Sequence, residues 1–207
     1  MALEYNRELL KRARLGVMEG DKGVRFLVTE VAKMQGPSGL DYTEKPLSRP
    51  ALTEAAWNGH EAAVRLLLEK GAEVNFTDYE RRTPLHYAAK AGHQEVAELL
   101  IERKANVNAI DQSGNSPLHL AVSGNRVTIA KLLVARGAAV NAVDADAVTP
   151  AHLAMFNGNA ALADFLVHAG ALKNIHGLPV GLTPVSPVSF VPMSPMSPVS
   201  ESEALID

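Results

Sequence analysis

Histidine is the residue type in this sequence best suited to carry chemistry, because its side chain exchanges protons near neutral pH and ligates metals. The chain has 207 residues and seven histidines, five of which fall at two equivalent positions of a repeated pattern. One position holds His86, His119 and His152, and the other holds His60 and His93. Such recurrence favours packing and turn hydrogen bonding over catalysis. We expect His168 and His176 to lie at ordinary surface or helix-end positions.

The other motifs that could carry out chemistry are incomplete in this sequence. His60 and Glu61 match the start of a helical zinc site, but no second histidine follows one turn later. Gly16, Gly20 and Gly23 form neither a dinucleotide fingerprint nor a lysine-containing phosphate loop. No serine or threonine lies in a nucleophile elbow, and no pair of carboxylates stands out. We therefore predict no enzymatic activity, no metal site and no cofactor.

Composition and charge narrow the class of partner. The sequence has 20 Lys plus Arg against 23 Asp plus Glu, a net charge of −3, so we expect neither nucleic acid nor a membrane as partner. It contains no cysteine, which excludes disulfides and thiol catalysis and fits a reducing compartment. Charges interrupt the first residues, so no secretory signal is predicted. We expect a cytoplasmic protein that could also enter the nucleus.

The central part of the chain repeats itself at an offset of 33 residues. We call the residues at equivalent positions a column. Three clear columns are Leu67, Leu100, Leu133 and Leu166; Ala55, Ala88, Ala121 and Ala154; and Asn75, Asn108, Asn141 and Asn174. The offset predicts four repeats, at 48–80, 81–113, 114–146 and 147–177.

Each repeat is predicted to contain two helices. The first helix should start at a proline, whose missing amide hydrogen costs nothing there, and the second should end at a glycine with positive φ. The starts are Pro84, Pro117 and Pro150, and the ends are Gly71, Gly137 and Gly170. Lys104 takes the place of glycine in the second repeat. Because a two-helix unit cannot bury both faces alone, neighbouring repeats must stack around a shared core.

The repeated motifs resemble the ankyrin repeat signature. They are Thr83-Pro84-Leu85-His86-Tyr87-Ala88-Ala89, Ser116-Pro117-Leu118-His119-Leu120-Ala121 and Gly71-Ala72-Glu73-Val74-Asn75. The resemblance covers about residues 48 to 176. It implies an all-α solenoid of stacked helix-turn-helix repeats with β-hairpin-like loops at one edge. It also implies a concave face that binds protein partners.

Two features depart from the family pattern. The first repeat has Pro50-Ala51-Leu52-Thr53 where the later repeats have the Thr-Pro-Leu-His type of motif, which indicates a degenerate entry repeat. Arg81 and Ala147 occupy the loop column held by Gly114, where glycine is favoured for its positive φ. We expect the loops that contain Arg81 and Ala147 to be less regular or mildly strained.

The segments outside the four repeats differ in character. Residues 1–35 place Leu9, Leu10 and Ala13 on one apolar face and suit two amphipathic helices with a turn at Gly20, an N-terminal cap or degenerate repeat. Residues 36–47 are predicted to be a loop. Residues 178–207 are rich in proline and serine, and we expect a disordered or polyproline-like tail.

Four residues of the tail are candidates for phosphorylation because each directly precedes a proline. They are Thr183, Ser186, Ser194 and Ser197. The same stretch contains P-x-x-P segments of the kind that polyproline-binding domains recognise. A plain spacer remains the alternative, since any serine- and proline-rich linker yields such matches.

Binding is expected in columns that vary between the repeats and point outward. Aromatic and arginine side chains concentrate interface energy. The candidate protein-binding residues are Trp57, Tyr79, Arg82, Lys90, Asn115 and Phe156, which the family resemblance places along the concave side. The alternative is that Trp57 packs over the first repeat against the capping helices and that Phe156 packs over the last repeat. Tyr87 is interpreted as core-edge packing.

The sequence leaves two functional hypotheses. The first is a non-catalytic adaptor or stoichiometric regulator of one or more partner proteins. The second is a structural subunit that self-associates through its last repeat, whose second helix, predicted at 160–169, bears the single carboxylate Asp164. A true terminal cap would be polar outside, so this end is expected to be covered by the tail, by a partner or by a second copy.

Overall fold

The computed structural model describes residues 2–15 and 49–171 of the chain. These residues form nine α-helices and no strand. The helices are α1 Ala2–Leu15, α2 Ala51–Trp57, α3 Glu61–Glu69, α4 Pro84–Ala91, α5 Gln94–Glu102, α6 Pro117–Ser123, α7 Val127–Ala135, α8 Pro150–Phe156 and α9 Ala160–His168. The predicted all-α class with paired helices is therefore confirmed.

The first helix of each later repeat begins at the predicted proline. The residue before that proline is Thr83, Ser116 or Thr149, and its side chain forms a capping box with the histidine three residues on. This arrangement satisfies amide hydrogens that the helix itself cannot bond. In the first repeat Pro50 stands at the cap position and offers no side-chain cap. The entry repeat is thus degenerate at its helix start.

The loops between repeats are regular, although three different residues occupy their left-handed position. Arg81 has φ 60° and Ala147 has φ 59°, close to the 78° of Gly114. The same backbone hydrogen bond closes each loop, for example from the Asp111 nitrogen to the Asn115 oxygen at 2.9 Å. Of the two expectations for these loops, lower regularity is therefore wrong, whereas mild strain agrees with the positive φ of Arg81 and Ala147. Asp78, Asp111 and Asp144 explain the regularity, because Oδ1 of each accepts two backbone N–H groups of its own loop.

The helices form two layers. The first helices α2, α4, α6 and α8 pack in chain order, and α3, α5 and α7 pack in order behind them. The leucine column lies between the layers, and Leu67, Leu100, Leu133 and Leu166 each have 0% of their surface exposed. The core is thus continuous from one repeat to the next, as a stack of units that share their interfaces requires.

Asparagine side chains in the segments that follow the second helices join successive repeats. Asn75 donates from Nδ2 to the Lys104 carbonyl at 3.3 Å and accepts at Oδ1 from the Asn106 nitrogen at 2.8 Å. Asn108 makes the equivalent pair of bonds to Gly137 and Ala139. The partner carbonyl lies 29 residues further along the chain in each case. The asparagine column therefore fixes the spacing of the stack.

Helix α1 packs on α2 at the start of the stack. Leu9, Leu10 and Ala13 are buried there, as their predicted apolar face requires. Arg14 pairs with the buried carboxylate of Glu54 at 3.2 Å, and its carbonyl accepts from Nε2 of His60 at 3.2 Å. The rest of the predicted 1–35 cap, the 36–47 loop and the tail with its four phosphorylation candidates lie outside the described residues.

Candidate protein-binding face

The first histidine column locks the first helices α4 and α6 to the loop that leads into the next repeat. Nδ1 of His86 accepts from the Thr83 nitrogen at 3.1 Å, so Nε2 carries the proton and donates to the Asn115 carbonyl at 3.1 Å. His119 repeats this with Ser116 and Val148. Burial lowers the pKa of both histidines, and the bond to the backbone carbonyl only partly offsets it. These rings are neutral structural links.

The second histidine column bonds to the end of the preceding first helix. His93 donates from Nε2 to the Trp57 carbonyl at 3.0 Å, and its ring fills the space above Gly59. A Cβ on Gly59 would lie 2.4 Å from Nδ1 of His93, so only glycine fits there. His168 lies exposed at the end of α9, and His176 falls outside the described residues. Within the part of the chain described, no group of three metal-ligating side chains comes together.

Trp57 packs against an arginine and against the next repeat. Its ring meets the Tyr87 ring edge-on, with centroids 5.7 Å apart and planes at 89°. The Arg49 guanidinium lies 5.6 Å from the Trp57 ring centre and 4.9 Å from the Tyr87 ring centre. Trp57 is half-buried in this cluster. The residue that the sequence analysis missed is Arg49, and its position 33 residues before Arg82 is the signal that could have found it.

Arg82 is bound inside the molecule at both ends of its guanidinium. Nε donates to Oδ2 of Asp111 at 3.1 Å, and Nη1 donates to Glu80. Burial disfavours the charged guanidinium, but the bonds to Asp111 and Glu80 outweigh it and raise the pKa of Arg82. Tyr87 donates its hydroxyl to Asp78 at 2.5 Å, and burial together with this bond raises the pKa of Tyr87. Tyr87 is thus buried and bonded, as the core-edge interpretation expects.

Asn115 also takes part in the framework. Its backbone nitrogen donates to Oδ1 of Asp111 at 2.8 Å, and its carbonyl is the acceptor for His86. The side-chain amide approaches the same Asp111 oxygen at 3.4 Å. Half-buried Asn115 therefore helps to hold its own loop and to bond that loop to His86. Its role in binding a partner stays a prediction.

Three of the six candidate residues present exposed side chains. Tyr79 is 51% exposed at a loop tip, Phe156 is 62% exposed at the end of α8, and Lys90 is exposed at the end of α4. Ser123 occupies the same column as Lys90 and is exposed as well. The column one residue earlier is buried in the first three repeats. We define the variable face as the column Trp57, Lys90, Ser123 and Phe156 together with the loop tips 79–82, 112–115 and 145–148.

Comparison with protein families matches most of the repeat region. A family model described as ankyrin repeats (3 copies) matches residues 15–111, and one described as ankyrin repeats (many copies) matches residues 100–154. Among curated proteins, none matches the chain significantly. No helix in the described ranges is both long and apolar enough to cross a bilayer.

Proposed function

Because the chain belongs to the ankyrin-repeat family, whose repeats generally mediate protein–protein interaction, we propose that it is a non-catalytic adaptor or stoichiometric regulator. Partner proteins bind through the variable face. The observation that carries this proposal is the contrast between neighbouring columns. The Trp57 column changes residue type in every repeat and is exposed in three of them, whereas the Ala55 column is alanine throughout and fully buried.

The variable face has the physical properties of a binding surface. Its exposed anchors stand on helices and on loops that hydrogen bonds already hold in place, so little conformational entropy is lost on binding. Phe156 and Tyr79 offer large rigid rings that bury much area for few rotatable bonds. The mechanism of regulation is then steric, by occupying a surface of the partner.

Affinity capture from the native cell tests this proposal with a triple variant, Tyr79→Ala, Lys90→Ala and Phe156→Ala. These side chains are exposed, so the variant should keep the circular dichroism spectrum and melting temperature of the wild type. We expect it to lose one or more partners that the wild type captures.

A matched control variant changes three exposed residues on or just after the second helices, namely Glu69→Ala, Glu102→Ala and Arg136→Ala. It should capture the same partners as the wild type. If all three proteins return identical partner lists, the variable face is not the binding site. Loss of partners from the control alone would move the site to the second-helix side.

Self-association through the last repeat is a second candidate function. Met155 is 37% exposed, and a mostly apolar groove of about 370 Å³ runs between α7 and α9. It is lined by Lys131, Val134, Ala135, Phe165, His168 and Ala169. A scaffold subunit should show a mass that rises with concentration in sedimentation equilibrium. A constant monomer mass would exclude this function.

Regulation by phosphorylation of the tail is the third element of the proposal. Thr183, Ser186, Ser194 and Ser197 each precede proline, and a phosphate would add close to two negative charges to a segment with few others. We expect mass spectrometry of the protein from stimulated cells to find stoichiometric phosphate on this segment. Its absence there would contradict the regulatory role.

A further inference from the structure

The ends of the first helices and the turns that follow them carry no carboxylate in the four repeats. We call these residues the turn strip, and they are 57–60, 90–93, 123–126 and 156–159. Lys90 and Arg126 lie in it and are exposed. Exposed glutamates lie instead on the second helices, for example Glu69 and Glu102. The turn strip is therefore a cationic edge on a chain whose net charge is −3.

Hydrogen bonds between side chains and backbone make the turn strip continuous from repeat to repeat. His93 donates from Nε2 to the Trp57 carbonyl at 3.0 Å, and Arg126 donates from Nε to the Lys90 carbonyl at 3.3 Å. The bonded residues are 36 positions apart in both cases. Each turn therefore lies against the turn before it, and the exposed side chains form a row across the stack.

Helix α1 extends this row at the start of the stack. His60 donates from Nε2 to the Arg14 carbonyl at 3.2 Å, which is the bond that His93 makes to Trp57 one repeat later. Arg14 thus occupies the place before Trp57 in the row. Its side chain is 62% exposed, whereas Glu54, its ion-pair partner at 3.2 Å, is 5% exposed. The positive charge therefore faces water and the carboxylate does not.

The carboxylates nearest to the turn strip already have partners. Glu61 follows the first turn directly, and its Oε1 accepts from Arg65 at 2.6 Å. The variable face also holds Glu80 and Asp146, but both lie in loop tips, and Glu80 is bonded to Arg82. By contrast, the Lys90 side chain has no hydrogen bond or ion pair to the described part of the chain. Its charge is therefore available to a partner.

We infer that the partner supplies an acidic segment, which lies along the turn strip with carboxylates against Arg14, Lys90 and Arg126 and an apolar side chain on Phe156. Because this segment belongs to the partner of the variable face, the inference rests on the proposed function. Charge complementarity selects such a segment. A nucleic acid is disfavoured, since the exposed glutamates of α3 and α5 and the negative net charge would repel it.

The spacing of the repeats sets the spacing of the recognised residues. Packed helices lie about 9 Å apart, and an extended chain rises about 3.3 Å per residue. One repeat therefore corresponds to about three residues of the bound segment. The apolar residue that contacts Phe156 should lie about six residues from the carboxylate that contacts Lys90, because two repeats separate the two positions.

Selection from a displayed library of random peptides, each about 16 residues long to span the row, tests the inference on the immobilised full-length protein. We expect the enriched peptides to contain more aspartate and glutamate than the starting library. Fluorescence polarisation then measures the affinity of the most enriched peptide for each variant. Lys90→Glu should weaken it by at least about threefold, because an attraction becomes a repulsion.

The matched control is Lys70→Glu. Lys70 is exposed and lies at the end of α3, as Lys90 lies at the end of α4, so the two changes alter net charge and helix end alike. The control should leave the affinity within about twofold. Raising the salt concentration from about 0.05 M to about 0.5 M should weaken binding more for the wild type than for Lys90→Glu.

Four outcomes overturn the inference. Enriched peptides without acidic residues that Phe156→Ala weakens would contradict it and leave the proposed function in place. Acidic peptides that Lys70→Glu weakens as much as Lys90→Glu would show attraction to overall charge only. A single-stranded RNA of the same length that binds as tightly would show a general polyanion site. A selection in which no enriched peptide responds to Lys90→Glu or Phe156→Ala would count against the inference and the variable face together.

Discussion

Four residues other than glycine hold a left-handed backbone among residues 2–15 and 49–171, namely Arg81, Lys104, Asn125 and Ala147. An L-residue in this conformation brings its Cβ close to the following carbonyl oxygen. Ala147 is the simplest case, since it is exposed and its methyl group can form no hydrogen bond or ion pair. Ala147→Gly should therefore stabilise the protein by about 0.5 to 1 kcal/mol, the relief of strain minus the greater entropy of unfolded glycine. Urea unfolding followed by circular dichroism measures it.

The matched control for Ala147→Gly is the reverse change at Gly137. Gly137 has φ 88°, and a Cβ there would meet no atom within 4 Å, so only backbone strain is added. Gly137→Ala should cost about 1 kcal/mol. A loss of stability in Ala147→Gly would contradict the account of strain at this position.

Thr53 and Thr83 give a second comparison at the residue scale. Both are buried, but the Thr53 hydroxyl has no hydrogen-bond partner in the described part of the chain, whereas that of Thr83 lies 2.9 Å from Nδ1 of His86. Thr53→Val should raise the unfolding free energy by about 1 kcal/mol, because an unsatisfied buried hydroxyl is removed. Thr83→Val should lower it by a similar amount through loss of the helix cap. Equal effects of the two changes on the urea midpoint would count against this explanation.

At the scale of helices and loops, the buried histidines make the junctions between repeats sensitive to acid. The pKa values of His86 and His119 are lowered from the ordinary value of 6.5 by burial. Among the charged neighbours, Asp111 raises the pKa of His86 and Arg82 lowers it. Asp144 and Asp111 both raise the pKa of His119. The folded state therefore binds fewer protons than the unfolded state just below pH 6.5, so stability should be intact above that pH and fall below it.

Urea midpoints at about pH 7.5 and about pH 5.5 measure this dependence. The midpoint should be lower at the acid pH, and His119→Gln, which removes one of the two buried rings, should make the difference smaller. A midpoint that stays constant over this range in the wild type would show that the histidine links do not control stability.

The positions of the helices and of their ends could be predicted from the sequence, but the contacts of individual side chains could not. Proline starts and glycine ends follow from local backbone chemistry, so Pro117 and Gly137 identify their positions without knowledge of the fold. The engagement of Trp57 depends on how Arg49 and Tyr87 of successive repeats come together. Such contacts form only when successive repeats stack, and the residue types in a varying column do not predict them. Phe156 and Trp57 belong to the same column, and only the packing of the stacked repeats shows that Phe156 is exposed and Trp57 is half-buried.

Across the repeats that the structure describes, the buried columns form the core of the stack and the varying columns form its variable face. The hydrogen-bond spacing of 29 residues recurs in the asparagine and the histidine columns. The asparagine bonds tie the first repeat to the second and the second to the third, and the histidine bonds tie the second to the third and the third to the fourth. Because this framework is already ordered in the free protein, partner binding does not have to supply free energy to order it. If the variable face is the binding site, its exposed side chains Tyr79, Lys90 and Phe156 contribute affinity for a partner without contributing to stability.

Calorimetric titration of a captured partner against Phe156→Ala is the measurement that separates affinity for the partner from stability of the stack. Val143→Ala is the control, since Val143 is 54% exposed, similar to the 62% of Phe156, but lies outside the variable face. We expect Phe156→Ala to weaken binding by about tenfold or more at an unchanged melting temperature, while Val143→Ala leaves the affinity within about twofold. Equal affinities of Phe156→Ala and the wild type would contradict it.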